Sequence, residues 1–231
     1  MARQPIVKKG SADYYGDYCV NQSYDLNRAH LDYLITTLDF ALEHFTTITA
    51  VRLDFSIKKL SHTDECLEAS SDNIQECFQK LLNRLHKQTE LKMLMNWKLE
   101  ESEKKGLHIH TVFYFNHEKV KTFTTEGKLF KWILDTWKEI TGTHGSINIC
   151  EGGLSDKDNT FSTNKTSQYT VLGNLEALKT NKDYHQQKNR FDKKAGFFHW
   201  ISYLAKTTQK STKKKTFGTR IKTRKIPIIC E

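Results

Sequence analysis

The sequence predicts an α+β domain in which helices cover an antiparallel sheet. Four stretches place apolar residues three and four positions apart, as one buried helix face requires. Other stretches alternate apolar and polar residues, as half-buried strands do. Two of these strands are separated only by the turn "SEKKG", which favours a hairpin. Helices and antiparallel strands that alternate irregularly along a chain are typical of this fold class.

The four predicted helices cover Asp25–Phe45, Asn73–Lys87, Lys128–Thr141 and Phe197–Thr207. In each, apolar side chains recur at helical spacing, and polar residues occupy the opposite face. Asp25 is a suitable residue to cap the first helix, because its carboxylate can accept hydrogen bonds from the first backbone amides.

The strands are predicted in the segments "ITAVRLDFSIKK", "ELKMLMNWKLEE" and "LHIHTVFYF", with shorter strands in "GSINIC" and "SQYTVL". The last two of the long segments flank the "SEKKG" turn and form the hairpin. The first 24 residues, residues 60–72 and residues 152–165 are polar or rich in turn-forming residues, and they predict irregular structure.

Charge is distributed unevenly along the chain. The net charge is +9, and the last 40 of the 231 residues carry the whole excess, with eleven Lys and Arg against two acids. A basic block of this kind favours a polyanion such as nucleic acid as the partner, although a solubilising tail has the same composition. No apolar stretch is long enough to span a bilayer, and no signal peptide is recognised, so a cytoplasmic protein without a membrane partner is expected.

The histidine pair in "LHIHTVFYF" is the first candidate site. His108 and His110 are two residues apart in a predicted strand, so their imidazoles project from the same face. The other arm of the hairpin ends in Glu100 and Glu101, and alternation allows only one of them to face the histidines. Two histidines and a carboxylate suit a divalent cation that also holds a substrate oxygen. Hydrogen-bonded, partly buried histidines are the alternative, and the spacing alone leaves the choice of glutamate open.

The second candidate site is in "SYLAK". Tyr203 and Lys206 are three residues apart on a predicted helix and therefore share a surface. A tyrosine has a pKa near 10, so a nearby cation and a metal-polarised phosphate would help it to attack phosphorus. The spacing is common in ordinary helices, and Tyr169 and Tyr184 compete for any such role.

Together these segments resemble a known family. "ITAVRLDF", "WKLEESEKKGLHIHTVFYFN" and "FFHWISYLAKTTQKSTKKKTFGTR" are similar, in this order, to segments of inovirus-type, gene II-like rolling-circle replication initiators of the HUH endonuclease superfamily. The similarity covers most of residues 25–220. It implies an RRM-like, HUH-type central sheet.

The resemblance also implies roles for individual residues. Glu100, three residues after Trp97, takes the carboxylate position and is preferred to Glu101 as the third ligand, with His108 and His110, of Mg²⁺ or Mn²⁺. Tyr203 matches the nucleophile, and Lys206 is its partner, expected to lower the pKa of Tyr203 or to neutralise charge on the phosphorus. His199 occupies the position of a second tyrosine, which implies a single-tyrosine enzyme.

The activity implied is metal-dependent nicking and joining of single-stranded DNA at a replication origin, through a 5′-phosphotyrosyl intermediate. Such an enzyme initiates rolling-circle replication of a phage, satellite or related mobile element in the bacterial cytoplasm, with host helicase and polymerase as further partners.

The chain then divides into an N-terminal extension (1–24), the endonuclease domain (25–207) and a basic DNA-binding segment (208–231). The predicted DNA contacts are Arg52, Lys210, Lys213, Lys214, Lys215, Arg220, Lys222, Arg224 and Lys225. Phe217 and Trp200 are candidates for stacking on bases, although core packing is the stronger expectation for Trp200.

Three alternatives remain at this point. A single-tyrosine transposase or relaxase would use the same catalytic residues and differ in the joined product. A non-catalytic nucleic-acid-binding module would leave Glu100, His108 and His110 without a role, and the aromatic pattern of RNA-recognition strands is missing. A zinc hydrolase is less favoured, because three nitrogen and oxygen ligands with a tyrosine nucleophile suit Mg²⁺ or Mn²⁺ better, although histidine ligands alone do not exclude zinc.

Overall fold

A computed structural model describes most of the chain. The residues described are 6–11, 13–57, 71–88, 91–102, 106–142, 144–150, 153–154, 161–162, 169–173, 194–207 and 217–220. Tyr184 and the predicted DNA contacts Lys210, Lys213, Lys214, Lys215, Lys222, Arg224 and Lys225 lie outside these residues.

The described chain contains four helices, three long strands and nine shorter strands. The helices are α1 (Arg28–Phe45), α2 (Ser71–Gln88), α3 (Lys128–Ile140) and α4 (194–201), and a 3-10 turn, Ser202–Ala205, follows α4 directly. The strands are β1 (Ile6–Val7), β2 (Tyr14–Tyr15), β3 (Tyr18–Cys19), β4 (Leu26–Asn27), β5 (Thr47–Ile57), β6 (Met93–Ser102), β7 (Gly106–Asn116), β8 (Gly145–Ile149), β9 (Gly153–Leu154), β10 (Phe161–Ser162), β11 (Thr170–Gly173) and β12 (Phe217–Arg220).

The central sheet has six strands, and every pairing in it is antiparallel. The order is β11-β5-β7-β6-β12, and β8 pairs with β5 on the same edge as β11, farther along the strand. β6 and β7 form the predicted hairpin. The α+β fold class with an antiparallel sheet flanked by helices is therefore confirmed.

Alternation along β5, β6 and β7 divides the core into two layers. Odd-numbered side chains such as Leu53, Leu99 and Phe113 pack against α2 and α3. Even-numbered side chains face α1 and α4, and at one end of that face they are apolar, as Ala50 and Tyr114 are. At the other end they are polar, and this polar end of the α1–α4 face carries the predicted site.

The start of α1 and the end of α4 differ from the predicted helix ends in ways that bear on the site. Asn27, not Asp25, caps α1, since its side chain accepts a hydrogen bond from the His30 amide at 3.1 Å. Asp25 instead accepts from the Lys9 amide at 2.8 Å, so the prediction of Asp25 as the cap is wrong. The helix predicted to reach Thr207 ends at residue 201 and continues only as the 3-10 turn.

Residues near both chain ends also take part in the fold. The first 24 residues are predicted to be irregular, but their described part contains three short strands, β1, β2 and β3, and Val7 and Val20 are buried against the α1 layer. β12 pairs with β6 as an edge strand of the central sheet, with Arg220 opposite Met95. Gly218 faces the Trp97 ring so closely that an added Cβ would lie 2.5 Å from it. Among the helices described, none is both long and apolar enough to cross a bilayer.

Candidate metal and nucleophile site

The register of three neighbouring strands builds the site. In the central sheet, Asp54 lies opposite His110, and His110 lies opposite Lys98. Two pairs further along, and so on the same face, His108 lies opposite Glu100. These positions share one face of the sheet. The side chains of Asp54, Lys98, Glu100 and His108 therefore project into the same region as that of His110.

This register resolves which glutamate faces the histidines. Glu100 is opposite His108 on the polar face and is 1% exposed, whereas Glu101 is opposite Leu107 and is exposed. The expectation that alternation admits only one carboxylate is met, and Glu100 is that carboxylate.

Glu100, His108 and His110 form a compact group of possible metal ligands. One donor atom from each lies within 4.8 Å of the other two. Glu100 Oε2 is 3.0 Å from His110 Nε2 and 3.9 Å from His108 Nε2. All three side chains are buried, so the group is shielded from bulk water.

Hydrogen bonds behind the histidines orient the ring nitrogens that face Glu100. His108 Nδ1 donates to the Gly106 carbonyl at 2.9 Å, and His110 Nδ1 donates to Asp54 Oδ1 at 2.5 Å. Each acceptor engages Nδ1 and leaves Nε2 as the ring nitrogen that faces the group, as supporting residues do for histidine ligands of metals. Burial lowers the pKa of His108, which keeps its imidazole neutral. The donor set fits a divalent cation bound by Glu100, His108 and His110.

Two lysines surround the Glu100 carboxylate. Lys98 Nζ lies 2.9 Å from Oε1, and Lys206 Nζ lies 2.8 Å from Oε2. Burial by itself raises the pKa of Glu100, but the hydrogen bond from His110 and the lysine charges outweigh it and hold that pKa well below its ordinary value. Glu100 is therefore ionised at neutral pH, as a metal ligand must be.

The 3-10 turn brings Tyr203 to the same place. The Tyr203 and His110 ring centroids are 5.5 Å apart, and Lys206 Nζ donates a hydrogen bond to Tyr203 Oη. Residues three apart nearly eclipse each other in a 3-10 turn, so the predicted Tyr203–Lys206 proximity survives although the helix ends earlier. Burial and the charge of Glu100 raise the pKa of Tyr203, against the opposing charge of Arg52. The two roles predicted for Lys206, to lower this pKa or to neutralise charge on the phosphorus, stay predictions.

Main-chain contacts fix the turn from two sides. The Lys206 carbonyl accepts from Lys98 Nζ at 2.5 Å, which ties the turn to β6. The Thr207 amide donates to the Asp25 carbonyl at 2.8 Å, and the Tyr24 ring meets the Tyr203 ring edge to face at 5.3 Å. The N-terminal segment thus forms part of the wall around Tyr203.

The other aromatic candidates lie elsewhere or are packed. Tyr169 packs in the layer of α2 and α3, on the opposite face of the sheet. Trp200 is buried among core residues next to Phe197, as expected for its position. Phe217 is also buried, stacked on His30 with a centroid distance of 4.1 Å.

Sequence reasoning assigned no role to Lys98, Asp54 or Tyr24. The signal for Lys98 and Asp54 was the alternation that places them on the face of Glu100 and His110. Tyr24 had no comparable signal, because its position depends on the docking of a separate segment.

Fold and site together define an α+β protein with a buried carboxylate–histidine site beside a tyrosine–lysine pair. The chain belongs to the YagK/YfjJ C-terminal domain family, whose model matches residues 12–220. The match includes every described residue of the site and most of the N-terminal segment. Comparison with curated proteins and with solved structures gives no match.

Proposed function

We propose that the protein is a metal-dependent, single-tyrosine endonuclease and strand transferase that acts on single-stranded DNA. The observation that carries the proposal is the position of Lys206 Nζ, which contacts both Glu100 Oε2 at 2.8 Å and Tyr203 Oη. Two segments about a hundred residues apart in sequence therefore meet at one point, with a ligand group on one side and a hydroxyl nucleophile on the other.

The chain supplies each part of a phosphoryl transfer. A divalent cation at Glu100, His108 and His110 would supply Lewis-acid polarisation of the phosphate. Tyr203 Oη forms a bond to phosphorus, the P–O3′ bond breaks, and the phenol proton passes through solvent to the released 3′ oxygen. The products are a 5′-phosphotyrosyl adduct and a free 3′ hydroxyl, and attack by a 3′ hydroxyl reverses the step. The Lys206 ammonium contacts Tyr203 Oη and would therefore stabilise the negative charge that develops on a phosphate attacked by that oxygen.

The biological role proposed is the initiation of rolling-circle replication of a phage, satellite or related mobile element at its origin. The similarity of the three sequence segments to gene II-like initiators supports this role. The basic segment from Lys210 to Lys225 supports binding along a DNA backbone. A transposase or relaxase would use the same residues and would be distinguished by its joined product.

The test is covalent capture from a randomised single-stranded oligonucleotide library, which needs no knowledge of the origin sequence. In Mn²⁺, the wild-type protein should form an adduct that survives SDS, and recovered DNA should share a short motif. EDTA and Tyr203→Phe should each abolish the adduct, whereas Tyr169→Phe, a matched control on the opposite face, should retain it. Absence of a wild-type adduct, or an adduct mapped by peptide sequencing to a residue other than Tyr203, would refute the proposal.

A further inference from the structure

Arg52 is a buried cation without an ion-pair partner in the described parts of the chain. It lies on β5, on the polar end of the α1–α4 face, and is 9% exposed. No carboxylate in these parts lies within 4 Å of its guanidinium, and its Nε is buried without a hydrogen-bond acceptor. Its close neighbours are aromatic, since the guanidinium carbon lies 4.7 Å from the Tyr203 ring centroid and 5.4 Å from that of Trp200.

The nearby charged groups do not explain this arrangement. Removing a charge from water is costly unless the charge is paired, and stacking on two rings offsets only part of that cost. Asp54 is two residues away on the same face, but its Oδ1 accepts the hydrogen bond from His110. Glu100 is paired with Lys98 and Lys206. Each carboxylate is therefore engaged by another residue, and the charge of Arg52 acts on Asp54 only from beyond ion-pair distance among the described residues.

The net charge of the whole site also favours the binding of an anion. Arg52, Lys98 and Lys206 contribute three positive charges, and Asp54 and Glu100 contribute two negative charges. A divalent cation at the ligand group would increase the positive excess. Such a site attracts an anion, and a guanidinium is suited to hold two phosphate oxygens at once.

We propose that Arg52 is the phosphate-binding group of the site, and that it holds non-bridging oxygens of the phosphodiester that Tyr203 attacks. Its position over the Tyr203 ring places the bound phosphate beside the hydroxyl group. Arg52 is then a catalytic residue and not one of many backbone contacts. The identity of the anion as the scissile phosphate rests on the proposed function, but phosphate binding itself does not.

The first experiment measures phosphate binding by the full chain without DNA. Inorganic phosphate is titrated into metal-free protein, with sodium chloride at equal ionic strength as reference, and binding is followed by ³¹P line broadening. Wild type should bind saturably, Arg52→Met should bind at least about 10-fold more weakly, and Arg52→Lys should fall between them. Arg84→Met is the matched control, because Arg84 pairs with Glu139 on the opposite side of the sheet. A wild type that does not bind phosphate, or an Arg52→Met variant that binds it equally well, would overturn the proposal.

The second experiment uses single-turnover adduct formation on an oligonucleotide recovered from the library. Arg52→Met should slow the reaction by about 10²–10³-fold, the usual loss for one transition-state donor, with Mn²⁺ affinity and thermal melting retained. Arg52→Lys, which keeps the charge, covers the case in which the methionine variant does not fold. Cleavage at the wild-type rate by both variants would overturn the catalytic role. If wild type forms no adduct while phosphate binding depends on Arg52, the nuclease proposal fails and the anion site stands.

Discussion

Asp54→Asn tests whether the contact behind His110 sets the affinity for the metal. Asp54 is buried, and its Oδ1 accepts the His110 Nδ1 proton at 2.5 Å. The asparagine side chain has nearly the same volume and can still accept this proton, but without a charge. It can also donate from its amide nitrogen to Nδ1, which would hold a proton on Nε2 and so block the lone pair that a cation needs.

The expected loss is about 10- to 100-fold in Mn²⁺ affinity, the usual effect of removing such a supporting group. This range equals about 1.4–2.8 kcal/mol and agrees with the roughly 1.5–3 kcal/mol that a charged hydrogen bond contributes. Isothermal titration with Mn²⁺ at pH 7.5 measures it, and thermal melting checks that the variant is folded. Asp135→Asn, at an exposed position of α3, is the matched control. Affinity within twofold of wild type in the folded Asp54→Asn variant would refute the reasoning.

Three further predictions use other contacts. Glu100→Gln should abolish Mn²⁺ binding, whereas Glu101→Gln, on the exposed side of the same strand, should leave it within about twofold; equal losses in a titration would contradict the register. Burial and the charge of Lys98 lower the pKa of His30 to about 4, so the unfolded chain takes up a proton below about pH 6.5 that the folded chain does not take up until about pH 4. Stability from His30 is thus lost as pH falls through this window. His30→Phe keeps the stack on Phe217 and removes a buried Nδ1 that has no hydrogen-bond partner among the described residues. In urea titrations it should raise the free energy of unfolding by about 1 kcal/mol and flatten the decline of that free energy between pH 7 and pH 5. Gly218→Ala should destabilise the fold by about 1–3 kcal/mol, because the new Cβ meets the Trp97 ring; an unchanged thermal melt would show that β12 shifts without cost.

The parts of the site that sequence could predict depend on local periodicity. Alternation in a strand has a period of two, so it places Glu100 or Glu101, but not both, with His108 and His110. It could not select between them, because the register depends on how the turn between β6 and β7 closes. The observed pairing of Glu100 with His108 supplied that information.

The remaining contacts depend on tertiary packing, which local patterns do not encode. Asp25 was a reasonable helix cap by residue type, but the Lys9 amide and Lys8 ammonium compete for its carboxylate. The choice of Tyr203 over Tyr169 came from similarity to a family, since neither spacing nor composition distinguishes them. The packing of Tyr24 against Tyr203 and the pairing of β12 with β6 join segments distant in sequence.

The pairing of β12 with β6 has a consequence for how the chain is made. Translation completes the β6–β7 hairpin, with Glu100, His108 and His110, while Tyr203 is still 93 residues away from His110 in the reading order. At about 5–20 residues per second, the ligand group exists for roughly 5–20 s without the proposed nucleophile. During that interval the outer edge of β6 has no β12 to cover it, and an uncovered edge invites pairing with another nascent chain. Termination of translation in this region therefore releases a product that retains Glu100, His108 and His110, lacks Tyr203 and is prone to aggregate.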